Sequence, residues 1–572
     1  MKKIFTPIHN IIYLIFIILN GCSSSHETVE NSSNKKSDSD FDQSVCLENK
    51  VVSPTPFNIE YKNINAPLPV LNENSLPVAS GDKFNININP ENEIRKISRS
   101  LFGNNGAVWL GKEFLLNKTL KNKLKTCGVS LLRWPGGSTS DLYHFDLKMP
   151  KYGEPLNWLD IHDPSWAPVT GDFLSFTKEI NATPMIVVNH GFSSYGHLQG
   201  KDNLINAANL AADWVEYCNA DDDGENINGG VDWARKRTLD GFEEPFNVKY
   251  WEVGNEVFGD WEIGHVDGKT YGEHFIAFAK AMKNVDPDIF VGANAVVNFT
   301  KDGTTKWMKD LLTNKEAVSY MDFADIHDYF KYVFDNNNLP KPSEIKKYYL
   351  QIEEDKEELT RLFEKYTDKK SMPLFFGEYH LTHPQNPLNI TLASGLIIAT
   401  ALGEFIKNGF AASAMWDIAN EWKNGGDLGF VSRNHPEIPD YSPYPAYYSF
   451  YFFAKKFGDT LVESFQNNYD VHVYAGKFSD KGVSLIIVNP NNYSKTASVK
   501  IADTNLNGII NGWILDGPDF MGPKIFFNDI STIHEAAGTE IKEEYTYTSA
   551  FDPQKRIALP VRANSVSSFI IY

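Results

Sequence analysis

Two carboxylates in the 572-residue sequence follow short apolar runs: Glu256, in Gly254-Asn255-Glu256 after Val248 to Val253, and Glu378, in Gly377-Glu378 after Leu374 to Phe376. Two such groups facing one bound bond can hydrolyse a glycoside, one protonating the leaving oxygen while the other attacks the anomeric carbon. A separation of about 5–5.5 Å predicts retention of configuration. This division of labour asks for a raised pKa at Glu256 and an ionised Glu378. Other polar groups also stand where apolar runs end: Arg133 before Pro135-Gly136-Gly137, His327 with Tyr329, and Trp416. Arg133 or Tyr329 beside Glu378 would favour its ionised form, and His327 could tune the acid or hold substrate. Trp109, Trp134, Trp251, Trp261 and Trp416 are candidates for stacking on sugar, with one or two expected to do so and the rest to pack the core.

Gathering these groups requires a scaffold that brings many strand ends to one place. Eight short apolar runs suit buried parallel strands: Ser100 to Phe102, Ser130 to Trp134, Met185 to Val188, Val248 to Val253, Ile289 to Gly292, Phe323 to Ile326, Leu374 to Phe376 and Ala411 to Trp416. Helical periodicity fills the intervals, as in Asp172 to Ile180, Tyr271 to Val285, Glu344 to Tyr366 and Leu392 to Lys407. The alternation predicts an α/β fold, a (β/α)8 TIM barrel whose chemistry sits at the C-terminal strand ends. A dinucleotide-binding open sheet would want a glycine-rich phosphate turn after its first strand, and none follows it. After about Ser442 the pattern becomes short alternating strands, such as Val483-Ser-Leu-Ile-Ile-Val, which predicts an antiparallel β-sandwich; Phe84 to Ile88 could add a strand to it.

The N-terminus reads as an address. Lys2 and Lys3 precede the apolar run Ile11 to Leu19, too short to span a bilayer as a helix, and Leu19-Asn20-Gly21-Cys22 resembles the lipobox of bacterial lipoproteins. The expected division is a signal peptide over 1–21, a lipidated Cys22 and flexible tether over 22–80, the barrel over 81–440 and the sandwich over 441–572. Anchoring to the membrane of a bacterial cell envelope follows, with the outer membrane expected. Cys127 and Cys218 read as buried small hydrophobes. With 54 Lys and Arg against 73 Asp and Glu, the net charge of −19 argues against nucleic acid as a partner. The same charge favours neutral sugars over sulfated or uronic polymers unless the pocket itself carries Arg or Lys. Ile263 to Thr270 lacks the first glycine of a P-loop, and the acidic turn after Asn219 lacks the twelfth-position Glu of a calcium loop, so no metal or cofactor is expected.

The segments Asp213-Trp-Val-Glu-Tyr-Cys-Asn219, Trp233-Ala-Arg, Pro245-Phe-Asn-Val-Lys-Tyr-Trp-Glu-Val-Gly-Asn-Glu256 and Gly259-Asp-Trp261 resemble glycoside hydrolase family 51, best known for α-L-arabinofuranosidases. The resemblance extends from about residue 84 to the end. It implies Glu256 as acid/base, Glu378 as nucleophile and Asn255 as partner of the sugar 2-hydroxyl, with Arg133, His327 and Tyr329 in support. Trp134 replaces the Tyr usual in the family's Arg-Tyr-Pro-Gly-Gly motif, and the loop Ser138 to Phe145 departs from the family pattern, which leaves the sugar open. The expected activity is a retaining exo-glycosidase acting on plant or algal polysaccharide, α-L-arabinofuranosyl first and β-xylosyl second. A glycan-binding surface lipoprotein is the non-enzymatic alternative.

Overall fold

The computed structural model describes residues 57, 61–145, 167–193, 196–197, 201–297, 301–330, 342–381, 386–423, 425–480, 482–502, 505–522, 524–531 and 541–572. The expected signal peptide and Cys22 lie outside the described residues.

Eight parallel strands close into a barrel: β1 (Gly103–Asn105), β2 (Leu131–Trp134), β3 (Thr183–Val188), β4 (Tyr250–Val253), β5 (Phe290–Ala295), β6 (Phe323–His327), β7 (Leu374–Tyr379) and β8 (Ala412–Met415). Each pairs with its chain neighbour, and β8 returns to β1. The first strand lies beyond the expected Ser100 to Phe102. There Ser98 accepts a hydrogen bond from the Ser100 N–H and winds Arg99–Leu101 into a 3-10 turn, so pairing starts only at Gly103. Helices such as Thr170–Ile180, Gly268–Val285, Pro342–Tyr366 and Leu392–Asn408 fall where the periodicity places them. Leu392 through Ile406 are all buried. Among the described residues no helix is long and apolar enough to cross a membrane.

The barrel interior is layered. Leu131, Tyr250 and Phe323, first residues of their strands, join Met185, Phe375 and Phe57 in an apolar cluster, with Phe57 stacked on Tyr250 at 4.6 Å. Two residues further along, the same inward face carries Arg133, Glu252 and Asp325. One end of the barrel is thus plugged by aromatic rings, and charge collects towards the other.

Among the described residues, the ten strands after the barrel and one before it form a largely antiparallel sheet of eleven strands, including Thr460–Gln466, His472–Lys477, Val483–Asn489 and Ser565–Ile571. Asp82–Lys96 belongs to it, antiparallel to Thr460–Gln466 and parallel to Lys495–Ile501. Leu559 and Phe569, from strands distant in the hydrogen-bonded order, share one core with Phe84, Ile86 and Leu485. The sheet therefore closes over its own interior as a sandwich does.

Candidate active site

Polar groups from six of the strands or their ends meet at the barrel mouth. Arg133 on β2, fully buried, is the hub: Nε donates to Glu252 Oε2 at 2.8 Å, Nη1 to Asn105 Oδ1 at 3.1 Å and Glu378 Oε1 at 3.0 Å, and Nη2 to Asn255 Oδ1 at 3.0 Å. Asp325 lies 3.6 Å away. Three carboxylates hold this guanidinium more strongly protonated than usual, outweighing the burial that opposes its charge. A planar fork reaching four groups at once is a task that Lys cannot perform.

Glu256 stands on the turn after β4, where Gly254 has φ 76° and Glu256 itself φ 44°. A side chain at Gly254 would lie 2.6 Å from Val257 and 2.8 Å from His190, so the turn closes only on glycine. The turn aims Glu256 at His327, whose Nδ1 lies 3.0 Å from Oε1, while the Trp261 indole N–H donates to Oε2 at 2.9 Å. Opposite, Glu378 Oε2 accepts from the Tyr329 hydroxyl at 3.0 Å, and Oε1 lies 3.6 Å from His327 Nδ1. One carboxylate oxygen each from Glu256 and Glu378 and a His327 nitrogen lie within 4.8 Å of one another. That spacing suits a double displacement, since an intervening water would need carboxyls ~6.5–9.5 Å apart.

The charges fall the other way from the sequence expectation. Burial raises the Glu256 carboxyl, but the hydrogen bond and charge of His327 and the Trp261 N–H outweigh it, and the net shift is downward. Burial also dominates at Glu378, and His327, Arg133 and Tyr329 only partly offset it, so its net shift is upward. His327 is lifted well above its ordinary value: burial opposes its charge, but Glu378 and Asp325 more than compensate. The mobile proton therefore rests on His327, beside Glu256. The trios Glu256–His327–Glu378 and Glu252–Asp325–His327 have donors that a divalent transition metal accepts. Arg133 already supplies a cation to both carboxylate groups.

These residues open onto a cavity of about 890 Å³, lined among others by Trp109, Ser138, Asn255, Glu256, Trp261, Glu262, Tyr329, Glu378 and Trp416. The Trp416 ring lies against Gly137, where a Cβ would approach it to 2.7 Å, and tilts against Trp109 at 5.7 Å between centroids. Trp134 and Trp251 are instead buried in an aromatic cluster with Trp214. Arg433 lines the mouth beside Glu421, so the cavity carries a cation of the kind that an acidic polymer would require.

The structure thus brings together Arg133, Asn255, Glu256, His327, Tyr329, Glu378 and Trp416. The sequence reading missed Glu252, Asp325, Asn105 and Glu262. Carboxylates inside the otherwise apolar runs Tyr-Trp-Glu252-Val and Phe-Ala-Asp325-Ile were the available signal, because a buried strand keeps a charge only beside a counter-charge. Cys127 and Cys218 are buried and unpaired, as small hydrophobes would be.

Residues 123–341 match the α-L-arabinofuranosidase 1 domain. The probable α-L-arabinofuranosidase C of Aspergillus flavus is 27% identical over 287 residues, which are 45% of this chain and 51% of that protein. The intracellular exo-α-(1→5)-L-arabinofuranosidase 1 of Bacillus subtilis is 29% identical over 229 residues, 39% of this chain and 40% of that protein. The chain thus spans about half the length, or less, of the curated relatives it matches. The solved GH51 α-L-arabinofuranosidase of Thermotoga petrophila superposes with a TM-score of 0.64 at 18% identity, covering 86% of this chain and all of the other. A family 44 xyloglucanase of Paenibacillus polymyxa gives 0.58 at 13% identity over the same share of each chain. Residues 123–341 thus resemble the α-L-arabinofuranosidase 1 domain, and the barrel with its accompanying sheet has the fold of the solved GH51 α-L-arabinofuranosidases.

Proposed function

We propose that the chain is a retaining glycosidase releasing α-L-arabinofuranosyl residues, with Glu378 as nucleophile and Glu256 as acid/base. The observation that carries this reading is the pair of carboxyls on opposite strand ends, joined through His327 Nδ1 at 3.0 and 3.6 Å. His327 passes its proton to Glu256, which protonates the leaving oxygen as the bond from Glu378 to the anomeric carbon forms and the glycosidic bond breaks. Water then gives its oxygen to the anomeric carbon, freeing Glu378, and a proton to Glu256, which returns it to His327. Asn255 directs its oxygen to Arg133 and one amide hydrogen to Glu262, which leaves its second hydrogen for the sugar 2-hydroxyl. The arabinofuranosidase names of the relatives, and the domain match over 123–341, which contains Glu256, support the choice of sugar.

Plant or algal polysaccharide as the source, action from chain ends, and a lipid anchor at Cys22 holding the chain to a bacterial outer membrane complete the proposal. Globomycin-sensitive labelling of the full chain with a palmitate analogue, lost on Cys22→Ala, tests the anchor; labelling unchanged by the substitution contradicts it.

A panel of nitrophenyl arabinofuranoside, xylopyranoside, rhamnoside, galactoside and glucuronide tests the activity. Arabinofuranoside turnover is expected to fall at least about 10⁴-fold in Glu378→Ala. Preferred release from the xylopyranoside would favour a β-xylosidase, and sugar binding without release from any member would favour a glycan-binding protein. Preference for the glucuronide would make Arg433 the pocket's specificity determinant.

A further inference from the structure

Asp141 ends the 3-10 turn Gly137–Asp141 that follows β2, within the stretch Ser138 to Phe145 whose sequence departs from the family pattern. It is fully buried. Its carboxylate reaches two other strand ends. Oδ1 accepts from the backbone N–H of His190, beyond β3, at 3.1 Å, and Oδ1 and Oδ2 share the backbone N–H of Asn255, beyond β4, at 3.2 and 3.3 Å. Two glycines make room for it: a Cβ at Gly191 would come within 2.4 Å of the Asp141 carbonyl oxygen, and one at Gly264 within 3.1 Å of Oδ2. One carboxylate on the main-chain donors of two further loops thus ties three strand ends together.

What this bond secures is the residue after Asn255. Glu256 has φ 44°, a left-handed conformation that costs a non-glycine residue about 1–3 kcal/mol and persists only where its surroundings fix it. On one side the turn is fixed by Asn294 of β5, which accepts from the Val257 N–H at 3.0 Å and donates to the Gly254 carbonyl at 2.9 Å. On the other side the Asn255 N–H is held by Asp141. We propose that Asp141 is a positioning residue for proton transfer: through the Asn255 N–H it holds the strained turn so that the Glu256 carboxyl meets the leaving oxygen. The assignment rests on the glycosidase reading, in which Glu256 is the acid, and Asp141 itself does not touch the substrate. Loss of this acceptor lets the turn relax and carries Glu256 away from His327 and Trp261, while Glu378, on β7, keeps Arg133 and Tyr329.

The leaving group distinguishes a displaced acid from a loosened pocket. Phenyl and 2,4-dinitrophenyl α-L-arabinofuranosides, or the same pair on whichever glycoside of the panel the wild-type chain turns over, are compared by kcat/KM, which reports the steps up to departure of the aglycone. The phenol needs a proton as it leaves, and the dinitrophenolate does not. Asp141→Ala is expected to lose at least about tenfold on the phenyl glycoside and no more than about threefold on the dinitrophenyl glycoside. Glu256→Ala provides the reference, with the same selectivity and a larger loss. Asp141→Asn, whose amide oxygen can still accept from both N–H groups, should recover most of the phenyl glycoside activity. If Asp141→Ala does not fold, Asp141→Ser, which keeps one oxygen on a shorter side chain, is run through the same pair. Equal losses on the two glycosides, no loss on either, or an Asp141→Asn no better than Asp141→Ala would overturn the proposal while leaving the glycosidase reading intact. Absence of turnover by wild type on every glycoside would overturn both.

Discussion

In the proposed mechanism the proton arrangement around His327 sets the pH dependence. As the proposed nucleophile Glu378 must be ionised to attack, and its pKa lies above the ordinary 4.5 because burial outweighs His327 and Arg133. The acid limb of kcat/KM is therefore expected above pH 4.5. His327 must carry the proton destined for Glu256, and its pKa lies well above 6.5. Activity is retained through neutral pH and lost as pH rises through that shifted value. A pH–rate profile of kcat/KM on the nitrophenyl arabinofuranoside checks both limbs. His327→Gln should remove the alkaline limb and lower the maximum, whereas an alkaline limb unchanged by the substitution would mean that another group supplies the proton. Asp325, which after Glu378 lifts His327, and Glu252, which with Asp325 flanks Arg133, were the least legible residues in the sequence. Each sits singly in an apolar strand, and only the closed barrel reveals that both serve one guanidinium.

The strand-end turns hold these groups in register. Gly254→Ala puts a methyl 2.6 Å from Val257 at a backbone φ of 76°. It is expected to cost about 1–3 kcal/mol of stability and, by moving Asn255 and Glu256, to lower kcat/KM at least about tenfold. Gly241→Ala is the control: its φ is 96° but nothing lies within 4 Å of the added methyl, so it should bear only backbone strain and keep full activity. Thermal melts and kinetics of the two variants separate strain from misplacement. At this scale the sequence was most informative. Runs such as Met185 to Val188 and Leu374 to Phe376 lie within strands because their apolar, β-favouring residues have a single buried destination. The first strand was misplaced for a matching reason: Ser100-Leu-Phe looks like a strand, but the Ser98 cap turns it into a 3-10 helix, and the actual strand, Gly103-Asn-Asn, has no apolar signature. The polar side chain of Asn105 is retained there because it bonds Arg133 and the carbonyl of Gly377.

Across the whole folded body, barrel and sheet share a core. Leu396 and Phe405 of the barrel helix Leu392–Asn408 belong to the same apolar cluster as Tyr474, Ile486 and Trp513 of the sheet. Tyr474 donates to Glu404 Oε1 at 3.0 Å, and its ring fills the place that a side chain at Gly403 would occupy. Calorimetry is therefore expected to show barrel and sheet unfolding in one transition, and Tyr474→Ala to shift that transition down as a unit, by about 3–5 kcal/mol of stability. A separate early melting of the sheet would contradict the shared core. The sequence showed both folds but not this seam, because alternation and helical period report which face of an element is buried and not what it is buried against. The proposed double displacement is tested most directly by the anomeric configuration of the product formed in dilute methanol. By NMR the methyl glycoside released from nitrophenyl α-L-arabinofuranoside should be the α anomer, as attack by Glu378 followed by attack of methanol requires. The β anomer would mean a single displacement and would contradict the assignment of Glu378 as nucleophile.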